Sequence, residues 1–263
     1  MKIGFFDSGI GGLTVLADAA TLYKDCEFIY FGDVIHAPYG TKDREQVLCL
    51  TLDAVETLAK ENLDALVVAC NTATSVAVRA LREKYSFPII GMEPALKPAL
   101  SASEGNILVL ATELTLRESK FKYLVDTFNA TDRVLKLPMG NLVKFAEAGD
   151  FDSPQLVEYI KKQLSTIDLK NIDSVVLGCT HFLYFRNIIE KLLPGHIRIF
   201  DGNSGTIRHT AKLTGVDMRA TSADPDFGRI KFYMSGLLLD DHCLKYHQFI
   251  DSINNYLGGR KNG

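Results

Sequence analysis

The chain has 263 residues, of which 47% are hydrophobic and 23% are charged, a balance typical of a folded globular protein. Its net charge of -3 and its pI near 6.1 give no basic excess, which argues against nucleic acid as a partner. Five cysteines without a C-x-x-C pair argue against a disulfide framework or a structural zinc site, and they favour a reducing, cytoplasmic compartment. Since no apolar run approaches about twenty residues, we expect no signal peptide and no membrane partner.

Hydrophobic periodicity predicts strands and helices that alternate along the chain. The first series has predicted strands at Lys2–Phe6, Phe28–Phe31, Ala65–Ala69 and Pro88–Ile90, and predicted helices at Leu13–Tyr23, Asp43–Glu61 and Thr74–Tyr85. The second has predicted strands at Asn106–Leu110, Val134–Leu137, Ser174–Leu177 and Arg198–Phe200, and predicted helices at Leu116–Phe128, Leu156–Leu164 and Phe182–Leu193. The tail carries a predicted strand at Lys231–Met234 and a predicted helix at Asp240–Tyr256, which we expect to return to the first series.

This alternation with short connections predicts an α/β fold with parallel sheets covered by helices on both faces. Two such series predict two doubly wound domains with the active site in the cleft between them. We expect the first domain to comprise residues 1–96 and 208–263, and the second to comprise residues 97–207.

Chemically active side chains directly follow most of the predicted strands. They are Asp7-Ser8, Asp33, Cys70-Asn71-Thr72, Glu93, Thr112, Cys179-Thr180-His181 and Asp201. In open parallel sheets, ligands bind in the crevice beyond the carboxyl ends of the strands. We therefore expect these side chains to surround one cleft.

Two of these segments share one pattern, an apolar run that ends in a cysteine and is followed by a hydroxyl residue and a helical sequence. A single cysteine in this position is usually an inert, small apolar residue, and Cys26, Cys49 and Cys243 keep that interpretation. The repetition at Cys70 and Cys179 favours two reactive thiols, and a helix N-terminus lowers the pKa of a thiol. The central hypothesis is that these two thiols face each other across one substrate.

Other motifs argue against a cofactor or a metal. The segment Gly9-Ile10-Gly11-Gly12 has Thr14 where a dinucleotide fingerprint needs its third glycine, and no phosphate-loop lysine follows. A tight turn and an anion site of backbone N–H groups remain alternatives for it. His36 and His181 lack companion ligands at metal-binding spacing, and His181 is better suited to act as an acid or base.

Four motifs resemble those of the glutamate racemases, within the superfamily of cofactor-independent aspartate/glutamate racemases. They are Phe6–Val15, Pro38-Tyr39-Gly40, Ala69–Thr74 and Leu177–His181, and the resemblance extends from Met1 to about Thr214. It implies two α/β domains and a reaction in which one thiolate removes the α-proton of glutamate while the other thiol protonates the opposite face. By this resemblance Cys70 serves the D-enantiomer with help from Asp7, and Cys179 serves the L-enantiomer with help from His181.

The resemblance also implies a substrate site formed by these four catalytic residues and by polar neighbours. The neighbours are Ser8, Asn71, Thr72, Thr180 and the segment Pro38, Tyr39 and Gly40. The acceptor for the substrate ammonium is open between Asp7, a neutral histidine and Asn71. The product, D-glutamate, would supply peptidoglycan and so support cell-wall biogenesis and cell shape.

Several positions depart from the family pattern, which leaves alternatives open. They are Val34, His36, Leu114, Leu183 and Gly202, and Glu147 aligns only loosely with the active-site glutamate of the family. The alternatives are a racemase of aspartate or another amino acid, and an amino-acid-binding paralogue with weakened catalysis. A cysteine hydrolase would account for only one of the two thiols. The sequence leaves a monomer and a homodimer open.

Overall fold

The computed structural model of the protein describes residues 1–23, 25–218 and 226–261, with the backbone alone at 260 and 261. Strands and helices alternate along most of this chain, which confirms the predicted α/β fold class. No described helix is long and apolar enough to cross a membrane.

The strands are short and mostly buried. In chain order they are β1 (Lys2–Asp7), β2 (Glu27–Gly32), β3 (Ala65–Val68), β4 (Ile89–Gly91), β5 (Asn106–Ala111), β6 (Val134–Pro138), β7 (Ile172–Leu177), β8 (Arg198–Asp201), β9 (Ile230–Met234) and β10 (Leu237–Leu239). Apolar runs such as Ala65–Val68 suit central parallel strands, which are covered on both faces.

The helices connect these strands. They are α1 (Leu13–Leu22), α2 (Arg44–Ala59), α3 (Asn71–Lys84), α4 (Leu96–Ala102), α5 (Glu113–Arg117), α6 (Ser119–Thr127), α7 (Asn141–Glu147), α8 (Pro154–Leu164), α9 (Arg186–Leu192), α10 (Asn203–Thr214) and α11 (Leu244–Lys261). A six-residue 3-10 helix, Thr180–Phe185, precedes α9.

The described strands form two sheets, as the two predicted series require. The first has the order β10-β9-β2-β1-β3-β4, and the second has the order β6-β5-β7-β8. All pairs are parallel except β9 with β10, so the first sheet has one antiparallel edge that the sequence analysis did not predict.

The tail returns to the first sheet, as expected from the sequence. Strand β9 pairs with β2 in parallel, from Phe28 opposite Ile230 to Gly32 opposite Met234. On the same side of the sheet, the ring of Tyr30 packs edge-on against Phe232 and Phe249 at centroid distances of 6.3 and 5.7 Å. The last helix, α11, therefore packs onto β2.

Three helical predictions differ in detail from the structure. The helix predicted at Leu116–Phe128 is two helices, α5 and α6, because Glu118 between them is extended. The helix predicted at Phe182–Leu193 begins as a 3-10 helix and becomes α-helical only at Arg186. The last helix starts at Leu244 rather than Asp240, which leaves His242 outside it. The sequence analysis did not predict α4, α7, α10 or β10.

The domain division proposed from the sequence stays a prediction. Its boundary at 96/97 coincides with the start of α4, whereas its boundary at 207/208 falls inside the continuous helix α10. Helix α10 packs against α1, β3 and β4 of the first sheet. Residues 24, 219–225 and 262–263 of the first predicted domain lie outside the described residues.

Candidate active site

Asp7 ends β1 and is fully buried. Its Oδ1 accepts a hydrogen bond from Gly9 N at 3.0 Å, and its Oδ2 accepts one from Thr180 Oγ1 at 3.0 Å. Burial raises the pKa of Asp7, although His181, Gly9 N–H and the Thr180 hydroxyl act in the opposite direction. A carboxylate with a raised pKa accepts a proton more readily, which suits an acid/base group.

Cys70 lies at the carboxyl end of β3 and caps the N-terminus of α3. Its Sγ accepts a hydrogen bond from Ala73 N at 3.4 Å and lies 3.5 Å from Ser8 Oγ. Burial, followed by the negative charge of Asp7, raises the pKa of this thiol to about 12, while the Ser8 and Ala73 contacts lower it. The helix N-terminus therefore acts in the expected direction, but desolvation outweighs it. Cys70 rests as a protonated thiol.

Cys179 follows β7 in the second sheet and is 7% exposed, against 5% for Cys70. Its Sγ lies 3.8 Å from His181 Nδ1. Burial alone would lower the pKa of His181, but its hydrogen bonds to Cys179 and Glu147 hold that pKa well above the ordinary value. The imidazole of His181 is therefore placed to exchange a proton with the Cys179 thiol.

Glu147 ends α7 and joins the two halves of the site. Its Oε1 accepts hydrogen bonds from His181 Nε2 at 2.6 Å and from Ile10 N at 2.8 Å. Since a carboxylate can only accept here, the histidine donates from Nε2 and presents Nδ1 to Cys179. Glu147 Oε2 is buried and has no hydrogen-bond partner among the described residues.

Three threonine hydroxyls close one end of the site. Thr72 Oγ1 lies 3.0 Å from Thr112 Oγ1 and 3.1 Å from Thr115 Oγ1, and the last two are 2.9 Å apart. Thr72 belongs to α3 beside the first sheet, whereas Thr112 and Thr115 follow β5 of the second. These hydroxyls hold the two halves together, and each can also bind a carboxylate oxygen. Asn71 is buried beside them.

The Pro38-Tyr39-Gly40 segment borders the same end. The Ala37–Pro38 peptide bond is cis, and the buried Tyr39 donates a hydrogen bond to Asp33 Oδ2 at 2.7 Å. A Cβ added to Gly40 would lie 2.5 Å from Thr112 Cβ, so only glycine allows this backbone to approach the threonines.

Comparison with known proteins agrees with this geometry. The family model described as Asp/Glu/Hydantoin racemase matches residues 21–210. The chain is 47% identical over 254 residues to the glutamate racemase of Halothermothrix orenii, covering 96% of this chain and 100% of the relative. The chain belongs to the Asp/Glu/Hydantoin racemase family. It is an amino-acid racemase, an isomerase.

Solved structures of the same family share the fold of this racemase. Escherichia coli glutamate racemase in complex with L-glutamate and the activator UDP-MurNAc-Ala has a TM-score of 0.75 and 34% identity, covering 85% of this chain and 86% of that chain. Francisella tularensis glutamate racemase in complex with D-glutamate has a TM-score of 0.77 and 26% identity, covering 96% of this chain and 92% of that chain. These likenesses confirm the predicted two-domain α/β architecture.

The racemase brings most of the residues predicted from strand ends into contact. The contacts pair Asp7 with Thr180, Ser8 with Cys70, Cys179 with His181, and Thr72 with Thr112. Others have different partners. Glu93 pairs with Lys120 at 2.8 Å, Asp201 pairs with Arg186 at 2.7 Å, and Asp33 binds both Tyr39 and the half-exposed His36.

For two residues of the candidate site, the sequence analysis left the role of Glu147 open and did not name Thr115. Glu147 aligned only loosely with the family, and it follows no strand. Thr115 lies on α5, one helical turn after Thr112, and a hydroxyl three residues beyond a strand-end threonine could have indicated it. Among the departing positions, Gly202 has a clear reason, since a Cβ there would lie 2.9 Å from Glu93 O and overlap Met92 Sδ.

Proposed function

We propose that this racemase interconverts L- and D-glutamate by a two-base mechanism in which Cys70 and Cys179 act on opposite faces of Cα. The observation that carries the proposal is the pairing of two buried thiols from two different sheets, each beside its own acid/base residue. Asp7 accompanies Cys70, His181 accompanies Cys179, and the Thr180–Asp7 hydrogen bond links the two pairs. Cys179 is also close enough to Cys70 for its negative charge to raise the pKa of Cys70.

The high pKa of the Cys70 thiol suits the L-to-D direction, in which Cys70 acts as the acid. Cys179, which lies 3.8 Å from His181 Nδ1, acts as the base: as a thiolate it removes the α-proton of L-glutamate and becomes a thiol. The resulting planar carbanion then takes the proton of the Cys70 thiol on its opposite face, which gives D-glutamate and a Cys70 thiolate. The reverse reaction exchanges these roles. Atoms and charge balance without a cofactor.

The high pKa of Cys70 requires a local proton acceptor in the D-to-L direction. Asp7 fits this role because its raised pKa reduces the difference between its pKa and that of the Cys70 thiol. After a turnover in the L-to-D direction, the same carboxyl group can relay a proton from water to the Cys70 thiolate, while the proton on Cys179 leaves to water through His181. Asp7 and His181 thus reset the two thiols for the next substrate.

The polar residues around the thiols would bind the substrate. We assign the two carboxylates to the hydroxyl and amide groups of Ser8, Asn71, Thr72 and Thr180 and to the backbone of Pro38, Tyr39 and Gly40. Backbone N–H groups and hydroxyls bind carboxylates without a partner arginine. The ammonium group needs an acceptor, and the buried Asp7 carboxylate, which acts electrostatically on Cys70 and bonds to Thr180 beside Cys179, is our candidate.

Hydrogen exchange tests this function. In heavy water, purified protein should replace the α-hydrogen of glutamate with deuterium while the optical rotation of L-glutamate decays to zero. A folded protein that leaves both the α-hydrogen and the rotation unchanged would overturn the proposal. A panel of amino acids in the same assay separates the alternatives, because aspartate reacting much faster than glutamate would favour an aspartate racemase.

We further propose that the enzyme works in the cytoplasm, without a cofactor, and that its D-glutamate enters peptidoglycan. The family relationship supports this role, and depletion in a producing cell should be rescued by external D-glutamate. We also propose that the enzyme forms a homodimer, and light scattering, which measures the mass in solution, tests this.

A further inference from the structure

One tyrosine connects the histidine side of the site to the loop that carries Asp7 and Ser8. Tyr184 lies three residues after His181 on the 3-10 helix Thr180–Phe185. In a 3-10 helix, side chains three residues apart eclipse each other, so Tyr184 and His181 share one face. The Tyr184 hydroxyl donates a hydrogen bond to Ile10 O at 2.9 Å, across 174 residues of sequence.

The acceptor, Ile10 O, lies in the turn between β1 and α1, and other hydrogen bonds also hold this turn in place. Tyr30 donates to Gly9 O at 2.6 Å, and Ile10 N donates to Glu147 at 2.8 Å. The next residue, Gly11, faces Thr180 and His181 so closely that an added Cβ would overlap both side chains. A small shift of this turn against the 3-10 helix therefore moves Asp7 relative to His181.

Tyr184 is itself held in place by aromatic neighbours. Its ring centroid lies 5.0 Å from that of Phe151 and 6.3 Å from that of Tyr256, the latter at an edge-on angle of 80°. Desolvation, followed by the negative charges of Glu147 and Asp7, keeps the pKa of Tyr184 well above its ordinary value. The phenol is therefore a neutral donor throughout the working pH range of the enzyme.

We propose that Tyr184 is a positioning residue of the racemase reaction, whose hydrogen bond to Ile10 O sets the distance between the Asp7–Cys70 pair and the His181–Cys179 pair. This proposal rests on the proposed two-thiol function. The Tyr184 hydroxyl bonds to Ile10 O in the turn, so it acts through the turn and the 3-10 helix. Proton transfer between fixed bases is sensitive to misplacement of about 1 Å, which can lower a rate by about 100-fold.

The variant Tyr184→Phe tests the role because it removes one hydroxyl and keeps the ring packing. Ile10 O still accepts a hydrogen bond from Leu13 N, so no buried acceptor is orphaned. We expect kcat for glutamate to fall about tenfold in both directions with KM changed by less than about threefold. Kinetics are measured well below the melting transition, so that unfolded protein does not contribute.

Tyr23→Phe is the matched control. Tyr23 is fully buried, and its hydroxyl also donates to a distant main-chain carbonyl, that of Ile207, away from the catalytic turn. Its loss should lower the melting temperature by at least as much as Tyr184→Phe while kcat stays within about twofold of the wild type. A structural role alone predicts that the two variants lose rate in proportion to lost stability.

The outcomes separate the two proposals. A wild-type enzyme that exchanges no α-hydrogen would overturn the proposed function, and with it the reaction in which Tyr184 acts. A working wild type with an unchanged kcat in Tyr184→Phe would overturn the positioning role alone. The same holds if Tyr23→Phe loses as much kcat as Tyr184→Phe. A loss of kcat in Tyr184→Phe that Tyr23→Phe does not share supports the positioning role.

Discussion

Thr180 Oγ1 donates a hydrogen bond to Asp7 Oδ2 at 3.0 Å, and this contact joins the carboxyl ends of β7 and β1. The two residues come from different sheets and lie 173 positions apart in the chain. Each lies beside one of the two thiols. Thr180 directly follows Cys179, and the charge of Asp7 raises the pKa of Cys70. In the proposed mechanism, this contact would fix the position of Asp7 relative to Cys179 and lower the pKa of the Asp7 carboxyl group.

Replacing Thr180 should separate these two effects. Thr180→Val removes the donor at nearly constant volume, which leaves one oxygen of a fully buried carboxylate without this partner. The pKa of Asp7 should rise further, since the Thr180 hydroxyl lowers it. We expect racemisation to fall by at least about tenfold, with the acid limb of the pH–rate profile moved to higher pH. Thr180→Ser is the control, because it keeps the donor and should retain most of the activity. A Val variant as active as the Ser variant would contradict this role.

Each thiol should be essential for inversion but not for folding. Cys70→Ser and Cys179→Ser change one atom at sites that are already polar, so we expect near wild-type melting temperatures. A hydroxyl is a far weaker acid and base than a thiol at neutral pH, and racemisation should fall by at least about 100-fold in both variants. Circular dichroism and polarimetry measure the two properties. Near-normal two-way racemisation by either variant would refute the two-base assignment, and Cys49→Ser, at an exposed position, is the control.

The fold could be predicted, and the two thiols could be singled out as candidates, because both depend on local patterns. Apolar runs of four to six residues ended at Asp7, Cys70 and Cys179, and strand ends in a parallel sheet meet at one edge. The sequence analysis did not predict the interruption at Glu118 between α5 and α6, nor the antiparallel strand β10. Tertiary contacts, rather than hydrophobic periodicity, determine such short elements. The role of Glu147 stayed open for the same reason. Its role comes from contacts with Ile10 and His181, which no spacing along the chain reveals.

The charge states of the site were the least predictable feature. A helix N-terminus at Cys70 led us to expect a lowered thiol pKa, and the Ala73 N–H does lower it. Burial and the adjacent Asp7 nevertheless raise the pKa to about 12. Burial and the charge of Asp7, the two effects that raise this pKa, come from parts of the chain far from position 70. Only the folded structure therefore shows that Cys70 rests as a protonated thiol.

Glu147 should stabilise the protein in a pH-dependent way. The pKa of His181 is raised in the folded state, partly by Glu147, so this contribution to stability is fully present below the unfolded pKa of about 6.5. It is lost as the pH rises through the raised folded value. Glu147→Gln should therefore lower the melting temperature more at pH 6 than at pH 9, and racemisation should also fall. Glu190→Gln, on the surface of α9, is the control. An equal loss of stability at both pH values would contradict the proposed ionic link.

Gly11 should tolerate no side chain, because a Cβ there would overlap His181 Nδ1 and Thr180 Oγ1. Gly11→Ala must push the imidazole away from Cys179 or move the turn that carries Asp7, and such overpacking costs about 1–3 kcal/mol. We expect a loss of racemisation of at least about 100-fold, together with a lower melting temperature. Gly205→Ala is the control, since that glycine is exposed within α10 and an added Cβ meets nothing within 4 Å. The control should gain about 0.5–1 kcal/mol of stability and keep its activity. Since His181 Nδ1 and Cys179 Sγ are only 3.8 Å apart, an active Gly11→Ala enzyme would mean that this contact is not needed for proton transfer.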